Sequence, residues 1–521
     1  MNFTKKEKQF FRNLLFKHQD GIAITNIITT LELKKIIAFI GDKKETTHRE
    51  IINAFPEFHK GYLNVALRSL ASQGIFSYYA DMNQIRICCT SKFEKLKQYL
   101  YYYIEFAEAY QLHLRLLQTP FHKELVLDEK LLNLSEKLKE LQAIHLNDPY
   151  FQDEVLVHLE GVLVIPLLVY LNFNARAKGF DSMEIISSHE KLQLFLENAS
   201  FLKDKKLTKK GQFLFDKSYA YGVTTSYLPI LSNIASFLDG NFKPFFERDS
   251  HGNEQHVFRT INVWGSGGSH ETYFRKIDTI ITAIFNQPIE QQPKGIIDVG
   301  CGNGALLEHI FNLIWHGTHR REDLDQNKLI LIGADYNKEA LLSTQQNLKK
   351  ADVWAEVVWG DIGNPKEMDA KLQELYNVKL SDLLNIRSFL DHNRPFNIPL
   401  EKNRPSHFLS TGAFATKGKF LHNSDVEQSL VEHLKKWKPY VTTYGLLLIE
   451  LHTLNPNTVS ANIGKTPCTA YDVTHGLSDQ YIVEIEVFKE AVERAGLTID
   501  NNHYYKFPNS ELSTVSINLI S

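Results

Sequence analysis

A chain of 521 residues is longer than one ordinary hydrophobic core requires and implies two or three domains. Its 43% hydrophobic and 23% charged residues are those of a globular, soluble protein. A formal net charge of -3 excludes a global basic field for nucleic acid or anionic membrane.

The N-terminus, Met1 to Lys6, leads into a charged amphipathic stretch without signal-peptide character. Four cysteines (Cys88, Cys89, Cys301, Cys468) lack CxxC spacing, which argues against disulfides or a thiolate zinc site. A reducing, cytoplasmic location is expected.

Residues 1–250 carry long 3.6-period apolar patterns and are predicted to be mostly helical. His48–Ile52 begins a helix, Gly61–Gly74 gives a second, and Ile75–Tyr79 with Ile85–Ile87 suggests a hairpin. A similar design recurs at Leu192–Phe201, Leu207–Gly211 and the helix that follows. Helix, helix, hairpin is the winged-helix pattern. The Gly61–Gly74 helix offers only Arg68 as a base, whereas a groove-reading helix needs several cations, so nucleic acid is not the expected partner. Dimerisation, giving a homodimer, or duty as a substrate lid is the expectation instead.

The apolar run Gly161–Leu171 is too short to span a bilayer and contains Pro166, so a buried helix and no membrane partner are predicted. Lys203, Lys205, Lys206, Lys209 and Lys210 form a basic cluster that either docks an acidic carrier or is a solvated face. Between Phe242 and His256 the chain turns polar, as a linker does. The domains expected are 1–250, helical with winged-helix-like elements, and 251–521. Gly265–His270 is either a flexible connection or a lid with His270 and Tyr273 facing inward.

From about residue 277 strands and helices alternate, the mark of an α/β parallel sheet. Gly295–Gly300 is a buried strand running into Gly300, Cys301, Gly302 and Gly304, and a helix starts at Ala305. Glycines there permit a tight turn and close backbone approach to a ligand facing the helix N-terminus. Leu329–Ala334 is the next strand, with Asp335 and Tyr336 at its end, and a carboxylate there can accept both ribose hydroxyls. Glu356–Gly360 is the third, with Asp361 placed for an adenine amino group and Ile362 for its ring. Gly300-x-Gly302-x-x-Ala305 also satisfies a dinucleotide fingerprint. However, Asp298 at the first strand's end suits a cationic methionine moiety and would repel a pyrophosphate. The order Asp298, GxGxG, Asp335, Asp361 on successive strand ends points to S-adenosylmethionine and methyl transfer.

Leu384–Phe389 reads as a fourth strand, followed by Asp391 and His392. Leu446–Leu451 reads as a fully apolar fifth strand ending at His452, and Tyr471–Tyr481 contains His475, Asp479 and Gln480. Ligands of doubly wound sheets bind outside the carboxyl ends of strands, which places Asp391, His392 and His452 beside the methyl acceptor.

The segments Asn262–Phe274, IIDVGCGNG, LIGADYN, VVWGDIGNP, RSFLDHNRPF, Ser410–Ala415, LLLIELHT and YDVTHGLSDQY resemble, in the same order, methyltransferases of polyketide assembly lines. The closest likeness is to domains of apratoxin-type loading modules, from about Leu207 to Phe488. The resemblance implies methylation of a carbon alpha to a thioester carbonyl, helped in some members by mononuclear iron or manganese. His392, His452 and Gln480 are the candidate metal donors, with Asp391 or Asp479 as possible carboxylate ligands. The alternative is that these histidines cap strand ends, leaving His475 or His452 as general base.

The fold class expected is α/β: a seven-stranded Rossmann-like class I methyltransferase sheet with a mostly helical N-terminal domain. No ketosynthase, acyltransferase or carrier segment is visible, so a free-standing chain is expected. Its substrate is then a small molecule or an acyl group on a carrier protein supplied in trans. O-methylation of a small hydroxylated metabolite is the alternative reaction, and a non-catalytic cofactor-binding protein the third reading.

Overall fold

The computed structural model describes residues 2–81, 84–119, 126–250, 252, 254–267, 270–401 and 407–521. The chain divides into two compact units, Met1–Ser269 with Ala413–Leu421 and Asn455–Asp479, and His270–Gly412 with His422–Leu454 and Gln480–Ser521. Three stretches that the sequence assigned to 251–521 thus fold with the first unit, the end of Met1–Ser269 and the whole of Ala413–Leu421 and Asn455–Asp479, because the chain passes the expected boundary before it leaves that unit and then returns to it twice.

The first unit is built around the Lys5–Leu33 helix. Thr4 and Glu7 start it with a reciprocal capping box: the Thr4 hydroxyl accepts the Glu7 N–H at 3.2 Å, and the Glu7 carboxylate accepts the Thr4 N–H at 2.8 Å. Its apolar face packs along the Leu156–Lys178 helix. The two backbones come close at glycines, since a Cβ on Gly161 would lie 2.6 Å from the His18 carbonyl oxygen. The run Gly161–Leu171 is therefore part of a longer element than its apolar length suggests. By length and composition alone Phe151–Lys178 could cross a membrane, yet 83% of its most apolar window is buried inside the protein.

Both winged-helix-like pieces form. In the first, Glu45–Thr47, Phe76–Ala80 and Ile85–Cys89 make a three-stranded sheet beside the His48–Ala54 and Lys60–Ser72 helices. In the second, Leu202–Lys203 pairs with Lys206–Leu207 between the Glu190–Asn198 and Lys209–Asp216 helices. Arg68 is buried and ion-paired with Asp472. In the basic cluster, Lys209 pairs with Glu7 at 2.6 Å and Lys210 with Glu160 at 2.8 Å.

The expected linker, Phe242–His256, is packed structure within the first unit: Phe246 stacks on His256 at 5.7 Å and Phe242 is buried. His251 and Asn253 lie outside the described residues. The expected glycine loop is helical at Arg259–Gly267, where Gly265 packs against Gly222. Gly268 and Ser269 lie outside the described residues, as does the side chain of His270.

The second unit is one seven-stranded sheet. Its strands are β1 (Gly295–Val299), β2 (Ile330–Asp335), β3 (Glu356–Trp359), β4 (Leu383–Ser388), β5 (Leu446–Leu451), β6 (Tyr505–Phe507) and β7 (Val515–Ile520). They lie in the order β6-β7-β5-β4-β1-β2-β3. β1 to β5 are parallel, and β7 inserts antiparallel between β5 and β6. The chain reverses its direction of travel across the sheet between β1 and β4, which opens a ligand crevice at their carboxyl ends. Tyr273 does not stand free over that end, because it packs edge-on against Phe389 and Phe507 at 5.9 and 5.1 Å.

Candidate active site

Every residue of β1 is buried, including Asp298 at 2% exposure. A carboxylate in such a strand is costly unless paired, and Asp298 Oδ1 has no hydrogen-bond partner among the described residues. Burial first, and then the like charge of Asp335, push the Asp298 carboxyl up to about 7. Gly300 and Gly304 both have positive φ, +85° and +80°, and Gly304 precedes the Ala305–Gly317 helix. The turn is pinned to β2 by the Gly300 and Cys301 amides, which donate to the Ala334 carbonyl at 2.7 and 3.1 Å. A Cβ added at Gly302 would meet nothing within 4 Å, so the loop is open on that side. Burial raises the Cys301 thiol, which stays protonated against Thr344 at 3.4 Å.

Asp335 closes the loop from the other side, accepting the Gly302 N–H at 3.1 Å and the Asn337 N–H at 2.8 Å. Tyr336 is 64% exposed and leans on Trp359, whose indole N–H donates to the Tyr336 carbonyl at 3.1 Å. Asp361 accepts the Gly363 N–H at 2.7 Å, shaping the turn after β3. Ile362 is buried, and its carbonyl accepts the Trp437 indole N–H at 2.9 Å. Asp298, Gly300, Cys301, Gly302, Gly304, Asp335, Tyr336, Asp361 and Ile362 thus sit along three adjacent strand ends. An unpartnered buried carboxylate beside an open glycine turn fits a ligand carrying a cationic amine.

His392 follows β4 in the short Asp391–Asn393 turn and is buried at 4% exposure. Its Nδ1–H donates to Glu450 Oε1 at 2.5 Å, and its backbone N–H donates to Glu450 Oε2 at 3.2 Å. A carboxylate only accepts, so this contact places a proton on Nδ1 and fixes the orientation of the ring. Glu450 stands in β5, a strand that reads as wholly apolar; it was missed, although a lone acid in such a run is itself a signal.

His452 does not present a nitrogen. Nδ1 donates to the Val483 carbonyl at 3.1 Å, and Nε2 accepts from the Ser516 hydroxyl of β7 at 2.7 Å. Burial drives this imidazole down to about 4 and keeps it neutral. The residue is a buried tie between β7 and the segment after β5. His452→Leu is expected to lower unfolding free energy by about 1–3 kcal/mol, leaving turnover per folded molecule within about twofold of wild type. Lost turnover at unchanged stability would return it to the reacting groups.

His475 and Asp479 fold with the first unit. The His475 Nδ1–H donates to the Tyr471 carbonyl at 2.8 Å, and Asp479 accepts from the Tyr62 hydroxyl and the Lys417 N–H. Gln480 is buried in the second unit. The expected donor set His392, His452 and Gln480 does not fit an iron or manganese ion. His452 spends both ring nitrogens on other partners, which leaves His392 and Gln480 as an incomplete set. Among the described residues no three His, Cys, Asp or Glu side chains gather to hold a metal.

Residues 254–518 match the family model of the AprA MT2-like domain, 11–78 that of the AprA N-terminal domain, and 160–241 that of the AprA winged helix domain. No curated protein matches the chain. Among solved structures, the CMeT domain of the citrinin polyketide synthase is 11% identical, covering 76% of this chain and 98% of its own, with a TM-score of 0.36. An O-methyltransferase family protein from Burkholderia thailandensis is 10% identical, with coverages of 73% and 97% and a TM-score of 0.37. LepI in complex with SAM is 12% identical, with coverages of 80% and 98% and a TM-score of 0.36. These structural likenesses do not bear on the reaction.

Proposed function

We propose, for a chain that belongs to the AprA MT2-like domain family and is an S-adenosylmethionine-dependent methyltransferase, that it methylates carbon alpha to a carbonyl in a polyketide-like acyl substrate. The observation that carries this reading is the buried His392–Glu450 pair at 2.5 Å. A carbon acid needs a base that is neutral, directional and shielded from water. We assign that role to His392, which Glu450 orients and whose charge Glu450 meets once the α-proton is taken. The electron pair left on the α-carbon then forms the new bond to the methyl carbon. When bound, S-adenosylmethionine supplies that methyl on a cationic sulfur, which leaves as a neutral thioether.

Asp298, the Gly300–Gly304 turn with Cys301, Asp335, Tyr336, Asp361 and Ile362 are the residues we assign to holding the cofactor. The acyl group is presented free or on a carrier protein in trans, and the protein acts in the cytoplasm.

Cofactor binding is expected to depend on pH through Asp298. Its carboxyl is raised from 3.8 to about 7. The neutral form therefore stabilises the ligand-free fold below about 4, and that contribution is lost as pH rises through 7. An amine-bearing cofactor needs the ionised form, so affinity should rise up to about tenfold per pH unit below 7 and level off above. Calorimetry from pH 5 to 8 on the wild type and Asp298→Asn reads this; a flat wild-type profile contradicts the assignment.

O-methylation uses the same base on a hydroxyl but leaves α-protons untouched. A short β-ketoacyl thioester in D₂O, with S-adenosylhomocysteine in place of the methyl donor, should exchange its α-protons at a rate that collapses in His392→Gln. Exchange no faster than without protein would set the carbon reading aside.

A further inference from the structure

We propose that Arg387, Asp391, His433 and Trp437 form a buried bracket that positions His392 for proton abstraction, an inference that rests on the reading of His392 as the base. Arg387 in β4 is fully buried, and its Nε meets Asp391 Oδ2 at 3.1 Å. The guanidinium lies 4.4 Å over the indole of Trp437, and that indole is anchored through its N–H to the Ile362 carbonyl. Asp391 Oδ1 accepts from His433 Nε2 at 3.2 Å. Trp437 and His433 belong to one helix, Asn423–Val441, which presents both to the same face of the sheet.

The bracket ends on the turn that carries His392. Arg394 donates to the Asp391 carbonyl at 3.0 Å, and the Tyr481 N–H donates to the His392 carbonyl at 2.7 Å. The side chain of Asp391 is thus held from β4 and from the helix, while the backbone on either side of His392 is held separately. Burial would raise the Asp391 carboxyl, but Arg387, the hydrogen bond from His433 and Arg394 together keep it below its ordinary value. His433 is driven down to about 4 by burial and serves as a neutral N–H donor.

Such a network is a poor way to gain stability. A buried ion pair roughly cancels its own desolvation, and apolar replacements of equal volume often fold as well. Arg387 Nε, both its Nη atoms and Asp391 Oδ2 have no hydrogen-bond partner among the described residues, so the two side chains meet as an ion pair alone and that cost is not fully offset. What the network does supply is a fixed direction for the turn after β4. A base misplaced by about 1 Å loses roughly a hundredfold in rate.

The test is a cycle with Asp391→Asn, His392→Gln and the double variant. It reads turnover of a β-ketoacyl thioester and the Kd for S-adenosylhomocysteine. Asp391→Asn should lower kcat at least about tenfold with the Kd within about twofold, and should add less than about twofold in the His392→Gln background. An equal loss in both backgrounds overturns the bracket while leaving His392 as the base. Unchanged turnover in His392→Gln alone overturns the reading beneath it. If Asp391→Asn does not fold, His433→Leu and His433→Gln decide. The glutamine keeps an N–H donor toward Asp391 and should restore most of the turnover that the leucine loses, and equal rates overturn the proposal.

Discussion

His392→Gln is expected to lower kcat by about 10²–10⁴-fold while cofactor Kd stays within about twofold, the range for removing a general base. The side chain is buried, and Glu450 accepts from its Nδ1–H, which orients the ring for the proton transfer assigned to it. Glutamine keeps polarity and approximate size but has no basic nitrogen. Glu450→Gln should fall in the same direction by a smaller factor, because the amide can donate to Nδ1 and favour the opposite tautomer. Rates from a single-turnover assay, with cofactor affinity from calorimetry, separate chemistry from binding. A His392→Gln variant that loses affinity but not kcat would make the His392–Glu450 pair structural.

Arg387→Met should destabilise the second unit by about 3–5 kcal/mol, read as a shift in urea midpoint, because Asp391 would then be buried without its cation. Arg387 and Asp391 are each almost wholly inaccessible, so water cannot take the partner's place. The double variant Arg387→Met with Asp391→Leu should recover most of that loss, since both members of the pair are gone and Arg394 keeps its bonds to the Asp391 and Val426 carbonyls. Turnover should not recover with it. Recovery of both would mean that the ion pair does no more than fill space.

The strand ends we assign to the cofactor were legible because their glycines and acids fall where pattern reading is strongest. Asp298 lies in a fully buried strand that Gly300, Gly302 and Gly304 follow, and Asp335 and Asp361 fall at the ends of the next two. The groups we assign to the methyl acceptor were legible only in part. His392 could be placed at a strand end, but its partner Glu450 is 58 residues away, inside a run that averages to apolar. Arg387 is hidden in β4 in the same way.

The partners of His452 were hidden for a different reason. A strand end in a doubly wound sheet suggests an open crevice, and nothing local tells that β7 returns antiparallel and brings Ser516 onto the ring. The winged-helix-like pieces followed from turn chemistry and helical period. The return of 413–421 and 455–479 to the first unit did not, because it depends on packing between segments far apart in the chain.

The most direct measurement of the central claim is the position of the transferred methyl. The enzyme is given S-adenosylmethionine carrying a ¹³C-methyl group and a β-ketoacyl thioester labelled with ¹³C at the α-carbon. The expected product shows one-bond carbon–carbon coupling between the two labels. A methyl signal without that coupling, at the shift of a methyl bonded to oxygen, would contradict carbon methylation.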